Sequence, residues 1–169
     1  MLNITVRLQD AAAHLWHVSC AWNVAVGSPQ QTLNLADWVP GSYMIRDFSR
    51  HIIRMRAFHN ERDIALQALD KSRWALQAAS GEYRVEYEVY AYDWSVRASY
   101  LDEHGAFFDG ACLFPWLDGR QQEAYHIDVD VGEWGRAQQW QIATAMTQTG
   151  SEQFQAASYW EAIDHPFTL

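Results

Sequence analysis

Six apolar side chains, Trp16, Val18, Cys20, Trp22, Val24 and Val26, recur at every second position, with Leu15, His17, Ser19, Ala21, Asn23 and Ala25 between them. Successive side chains of an extended chain point to opposite faces, so the run predicts a long strand with one strongly apolar face. Tyr83, Val85, Tyr87, Val89 and Ala91 alternate in the same way against Arg84, Glu86, Glu88 and Tyr90. Two such runs must bury their apolar faces against something, and a layered sheet is the economical solution.

Weaker alternation extends the pattern. Ile4, Val6 and Leu8 form a first strand, and a third fits Gln31 to Trp38. Ile53, Met55 and Ala57 mark a strand over His51–Phe58, followed by a polar turn at Asn60–Asp63, and Trp74 and Leu76 mark a short one. Ser95–Leu101, Phe107–Leu117, Ala124–Val131 and Trp140–Met146 read as further strands. Gly27-Ser28-Pro29, Asp102–Gly105, Asp118-Gly119 and Gly132–Arg136 supply turns between them. Only Ser158–Glu161 looks helical, as a capping box that Pro166 closes off. The expectation is an all-β fold: a β-sandwich of about nine mostly antiparallel strands with a short C-terminal helical turn.

Composition excludes several functions. Net charge is −9 and no basic run occurs, so nucleic acid and anionic membrane are poor partners. The N-terminus lacks a basic segment followed by an apolar one, so a cytoplasmic address is expected. Aromatic residues make up 14% of the chain, enough to build a core or a ligand platform.

Catalytic signatures are missing. No histidine is followed by glutamate, and no GxSxG, P-loop or GxGxxG is present. His14 and His17 stand three apart, on opposite faces of a strand. Asp128 and Asp130 share a face beside His126, where a solvated strand surface is the simpler reading than a metal or acid–base pair. Cys20 and Cys112 read as core thiols. The expectation is no catalytic residue, no metal ligand and no cofactor in this chain.

One stretch stands apart, WVPGSYMIRDFSRH over residues 38–51. Pro40-Gly41 suits a type II turn, because proline presets the first central φ and glycine takes the positive second one. Tyr43, Met44, Ile45 and Phe48 follow, with Arg46 and Arg50 around Asp47. Two readings remain open from the residues alone. Either the corner packs on the sandwich end with Asp47 paired to an arginine, or it is an interface that meets another domain.

The stretch WVPGSYMIRDFSRHI resembles the turn-and-strand signature near the start of the glycyl-aminopeptidase-type zinc metallopeptidases. AYDWSVRASYLDEHGAFFDGACLF is similar to that family's D-x-SVR-x-x-YLD segment with its aromatic-Gly pair. SYWEAIDHPFTL resembles the capped turn and D-x-P junction leading into the catalytic domain. The resemblance implies a saddle-like N-terminal domain over residues 1–157, with 158–169 starting the junction to a catalytic domain. It implies a thermolysin-like domain that holds zinc and a PDZ domain that usually ends the parent. This chain would then be non-catalytic, packing on its own catalytic domain and walling the cleft for peptide substrate, with self-association of the detached domain as a consequence.

By position, Phe107, Phe108, Asp109, Gly110 and Ala111 are the expected substrate-cleft edge. Trp38, Pro40, Gly41, Tyr43, Met44, Arg46, Asp47 and Phe48 are the signature or interface residues. The rival is an aromatic-rich carbohydrate-binding or protein-interaction module, with Trp16, Trp22, Trp94 or Trp116 stacking on sugar rings. Exposure separates them: the peptidase reading expects most tryptophans buried and an apolar patch exposed near residues 43–48 or 107–116.

Overall fold

The computed structural model describes residues 1–28, 30–77 and 79–169. In chain order the strands are β1 (Leu2–Asp10), β2 (Leu15–Val24), β3 (Gln31–Leu35), β4 (Ile52–His59), β5 (Arg62–Ile64), β6 (Gln67–Ala68), β7 (Arg73–Leu76) and β8 (Gly81–Tyr90). They continue as β9 (Ser99–Leu101), β10 (Ala106–Phe108), β11 (Pro115–Leu117), β12 (Tyr125–Asp130), β13 (Thr147–Gln148), β14 (Gln153–Ala156) and β15 (Phe167–Thr168). Three short helices intervene: α1 (Gly110–Leu113), α2 (Gly132–Ala137) and α3 (Tyr159–Ala162).

Among the described residues the principal sheet has eight strands in the order β13-β14-β12-β1-β2-β8-β4-β5. Strands β11-β3-β7-β6 form a second sheet and β15-β10-β9 a third. Pairing is antiparallel except between β1 and β12, which run parallel with Leu2 opposite Tyr125 and Arg7 opposite Asp130. The all-β, mostly antiparallel expectation therefore holds. The two strongest alternating runs lie side by side at the centre of the large sheet, Trp16 opposite Val89 and Trp22 opposite Tyr83.

The apolar faces come together in one core. Trp16, Val18, Cys20, Trp22 and Val24 of β2 are buried with Tyr83, Val85, Tyr87 and Val89 of β8. Leu33 and Leu35 of the second sheet and Leu101, Phe108 and Phe167 of the third join the same cluster. Val26 does not: it lies beyond the end of β2 and is 90% exposed. The turn that ends the strand closes with the Ser28 amide donating to the Ala25 carbonyl, while Pro29 lies outside the described residues.

Several boundaries differ from the alternating pattern. The third strand stops at Leu35, and residues 95–98 form a turn before β9. The strand expected over Phe107–Leu117 is broken by α1, and Gly132–Arg136 is part of helix α2. Residues 140–146 hold only an isolated bridge from Ala143 to Thr168. Helices of four to six residues are too short to show a 3.6-residue period, so alternation cannot reveal them. The capping box is present at α3: Ser158 Oγ accepts from the Glu161 amide at 3.3 Å, and Glu161 reaches back to the Ala157 amide at 2.6 Å.

Residues 158–169 are built into the fold. Phe167 is fully buried, stacks on Phe108 with ring centroids 4.8 Å apart, and pairs β15 to β10.

Candidate functional site

Between β3 and β4 the chain makes a loop that closes on itself. Pro40-Gly41 forms the expected turn, with the Ser42 amide donating to the Val39 carbonyl at 3.1 Å and Gly41 at φ 77°. The Arg46 amide then donates to the Asp37 carbonyl at 2.7 Å, pinching the loop at its base. Val39 and Phe48 are 3% and 4% exposed and anchor the two ends. Asp47 opens a 3₁₀ turn over Phe48–His51 and pairs with Lys71, not with Arg46 or Arg50 as the sequence suggests.

The anchors leave the middle of the loop outside. Tyr43, Met44 and Ile45 are 106%, 62% and 72% exposed, so of the four large apolar residues of the stretch only Phe48 is buried. Trp38 is also exposed. A packed sandwich corner is thereby excluded for Tyr43–Ile45.

Below the loop lies a cleft of about 220 Å³. Arg46, Arg50 and His51 line it together with Tyr92, Asp93 and Cys112. Two motifs far apart in sequence thus meet at one surface. Arg46 Nε is buried and, among the described residues, has no hydrogen-bond partner. Arg50 donates to His51 Nε2 at 3.1 Å, so that imidazole nitrogen is an acceptor. Burial, and then the neighbouring Arg50, hold His51 below the usual histidine range, which favours the neutral ring. Burial pushes the Cys112 thiol well up, with Asp109 and Asp93 adding to the shift, so it is a protonated core thiol and no nucleophile.

The Phe107–Ala111 strip is placed differently. Phe108 and Ala111 are fully buried and Phe107 is half-buried. A Cβ on Gly110 would lie 2.4 Å from the Ala162 carbonyl, so the glycine is required by contact with α3. Asp109 is 8% exposed and caps α1, accepting from the Ala111 amide at 2.9 Å. Burial raises its carboxyl to about 6 against the opposing Ala111 hydrogen bond, with Asp164 adding to the rise. Within the domain, then, the close approach and the carboxylate are both used internally.

The same exposures bear on sugar stacking. Trp16 and Trp22 are 0% and 1% exposed and unavailable to a ligand. Trp94 is exposed but stacks on Tyr100 at 3.9 Å, and Trp116 is half-buried. The expectation that most tryptophans are buried fails: of the nine, Trp16 and Trp22 are buried, Trp74, Trp116 and Trp140 half-buried, and Trp38, Trp94, Trp134 and Trp160 exposed. Among the described residues no group of three or more His, Cys, Asp or Glu gathers closely enough to hold a metal ion. Asp130 pairs with Arg136 at 2.8 Å, which also meets Glu152. Sequence reasoning missed the cleft-lining role of Tyr92, Asp93, Arg50 and His51, although the density of aromatic and charged residues in both motifs was a signal.

The profile described as Peptidase M61 N-terminal domain matches residues 3–169. The chain belongs to that family. The family makes it a peptidase N-terminal domain. An aminopeptidase N family protein from Idiomarina loihiensis superposes with a TM-score of 0.92 at 33% identity, covering 99% of this chain and 29% of that one. An M1 zinc metallopeptidase from Deinococcus radiodurans superposes with a TM-score of 0.54 at 8% identity, covering 99% of this chain and 40% of that one. The second likeness is one of fold. None of the curated proteins compared matches the chain. The chain thus spans less than a third of the Idiomarina protein, and no helix among the described residues is long and apolar enough to cross a membrane.

Proposed function

We propose that this domain is the non-catalytic β scaffold of a zinc metallo-aminopeptidase, and that the 38–51 loop docks it on the catalytic part of the parent chain. One observation carries the reading: Tyr43, Met44 and Ile45 stand exposed between buried anchors, beside an arginine whose buried Nε has no hydrogen-bond partner among the described residues. Exposed apolar clusters are costly, and covering three such side chains would contribute about 1.5–3 kcal/mol each. An unpaired buried donor likewise favours a surface that is completed by something else. The Idiomarina protein, more than three times longer than the stretch matched, supports a catalytic remainder.

On this reading zinc would be held by that remainder, and the described residues of this chain offer no group of three or more His, Cys, Asp or Glu for it. The 107–111 strip, with Phe107 its half-exposed member, supports the wall of the substrate cleft from inside the domain. A PDZ domain and a cytoplasmic address belong to the same reading. The test is made in the full-length protein. Met44→Asp with Ile45→Asp should lower the release of N-terminal glycine or alanine at unchanged zinc content and should unlink the melting of the two parts. Unchanged activity and a single unaltered melting transition would refute the docking role.

A further inference from the structure

A second cleft, of about 200 Å³, is lined in part by the start of the β3–β4 connection. Asp37 and Trp38 contribute from the connection, Trp116 from β11, and Tyr159 and Trp160 from α3. Its walls are aromatic: Trp116 and Tyr159 lie 6.0 Å apart, and Tyr159 and Trp160 5.5 Å. Trp38 and Trp160 are 43% and 47% exposed, the outer members of the group.

Two polar atoms of the lining residues are buried and have no hydrogen-bond partner among the described residues: Asp37 Oδ1 and the Tyr159 hydroxyl oxygen. The other carboxylate oxygen, Asp37 Oδ2, accepts only a long bond from Ser72 Oγ at 3.4 Å. Of the neighbouring cations, Arg46 donates its amide to the Asp37 carbonyl and its buried Nε has no hydrogen-bond partner among the described residues, while two others are already paired. Arg73 pairs with Asp70 at 2.6 Å, and Lys71 pairs with Asp47. A buried carboxylate oxygen left without a hydrogen-bond donor is costly, and a bound donor removes that cost. Aromatic rings around a carboxylate attract a cation and shield it from water, and a planar guanidinium also stacks on indole.

We propose that this cleft binds a cationic side chain, an alkyl guanidinium or alkylammonium presented on a polypeptide, with Asp37 as counter-ion and Trp38 and Trp160 flanking it. The site is separate from the Arg46 cleft and does not rest on the docking reading. Asp37 takes one N–H of the ligand. The carbon stem lies along the tryptophans. The charge is what is selected, so a neutral side chain of equal shape is rejected.

The test uses the 169-residue chain and the indole N–H resonances of its tryptophans, assigned with single Trp→Phe variants. The probes are acetylated, amidated tripeptides Gly-Arg-Gly, Gly-Lys-Gly and Gly-citrulline-Gly, and unblocked Gly-Gly-amide, whose only cation is its α-ammonium. The arginine or lysine peptide should shift the Trp38 and Trp160 signals saturably and leave those of buried Trp16 and Trp22 in place. The citrulline peptide should bind at least tenfold more weakly, and Asp37→Asn should weaken the arginine peptide by at least tenfold. Where Asp37→Asn disturbs the Trp16 and Trp22 signals, Trp160→Ala replaces it and should weaken binding at least threefold. Binding of Gly-Gly-amide as tight as that of the side-chain peptides retains the cation site and moves its source to a polypeptide amino terminus. Equal binding of the arginine and citrulline peptides, undiminished binding to the variants, or no saturable shift overturns the proposal.

Discussion

The loop over residues 38–51 and the strip over residues 107–111 carry similar chemistry: aromatics, a glycine, and an aspartate. They end in opposite environments. The strip finds its partners inside the domain, Phe167 against Phe108 and the Ala162 carbonyl against Gly110. The loop holds on by Val39, Phe48 and the Lys71–Asp47 pair, and Tyr43, Met44 and Ile45 stay largely exposed. Residue type alone does not distinguish a core from an interface. What distinguishes them is whether a distant segment arrives to cover them.

That contrast is broken most easily at Phe108. Phe108→Ala should destabilise the chain by about 3–5 kcal/mol in denaturant unfolding, because it removes a fully buried ring from a stacked cluster. Tyr43→Ser should change stability by less than about 0.5 kcal/mol, since its side chain is fully solvated. Equal losses at the two positions would erase the distinction.

A finer probe is Asp109. Its carboxyl is raised to about 6 by burial, so the folded state binds the proton more tightly than the unfolded chain does. The contribution of this group is complete at low pH and is lost as pH rises from about 4 through 6, by no more than about 3 kcal/mol. Asp109→Asn keeps a capping side chain and should flatten that part of the pH dependence, with the variant gaining on the parent above pH 6. A pH profile of unfolding midpoints unchanged by the substitution would show that Asp109 is solvated and belongs with the exposed loop.

The smallest effect concerns the surface itself. At high concentration the isolated chain should self-associate weakly through Tyr43–Ile45, and Ile45→Ser should shift sedimentation toward monomer without moving the unfolding midpoint. Self-association insensitive to Ile45 would place the sticky face elsewhere.

Much of the candidate site was legible in the residues. Pro40-Gly41 forms the turn its dihedral preferences demand, and the 38–51 stretch stood out by its density. Lys71 as partner of Asp47 was not legible, because it approaches from another loop. Tyr92 and Asp93 lining one cleft with Arg46 and His51 was equally hidden, since that meeting depends on how the β8 end and the loop fold together. The close contact of Gly110 with α3 of the same domain was hidden as well, because α3 lies some fifty residues on in the chain.

By itself the sequence determined the long strands β1, β2 and β8, the turn at Gly41 and the cap of α3. Each follows from side-chain alternation or local dihedral and hydrogen-bonding preferences acting within a few residues. Tertiary structure decided the parallel pairing of β1 with β12, the break of the 107–117 segment by α1, and which aromatics are inside. Those outcomes depend on contacts between segments tens of residues apart, and alternation reports that a face is apolar without reporting what covers it.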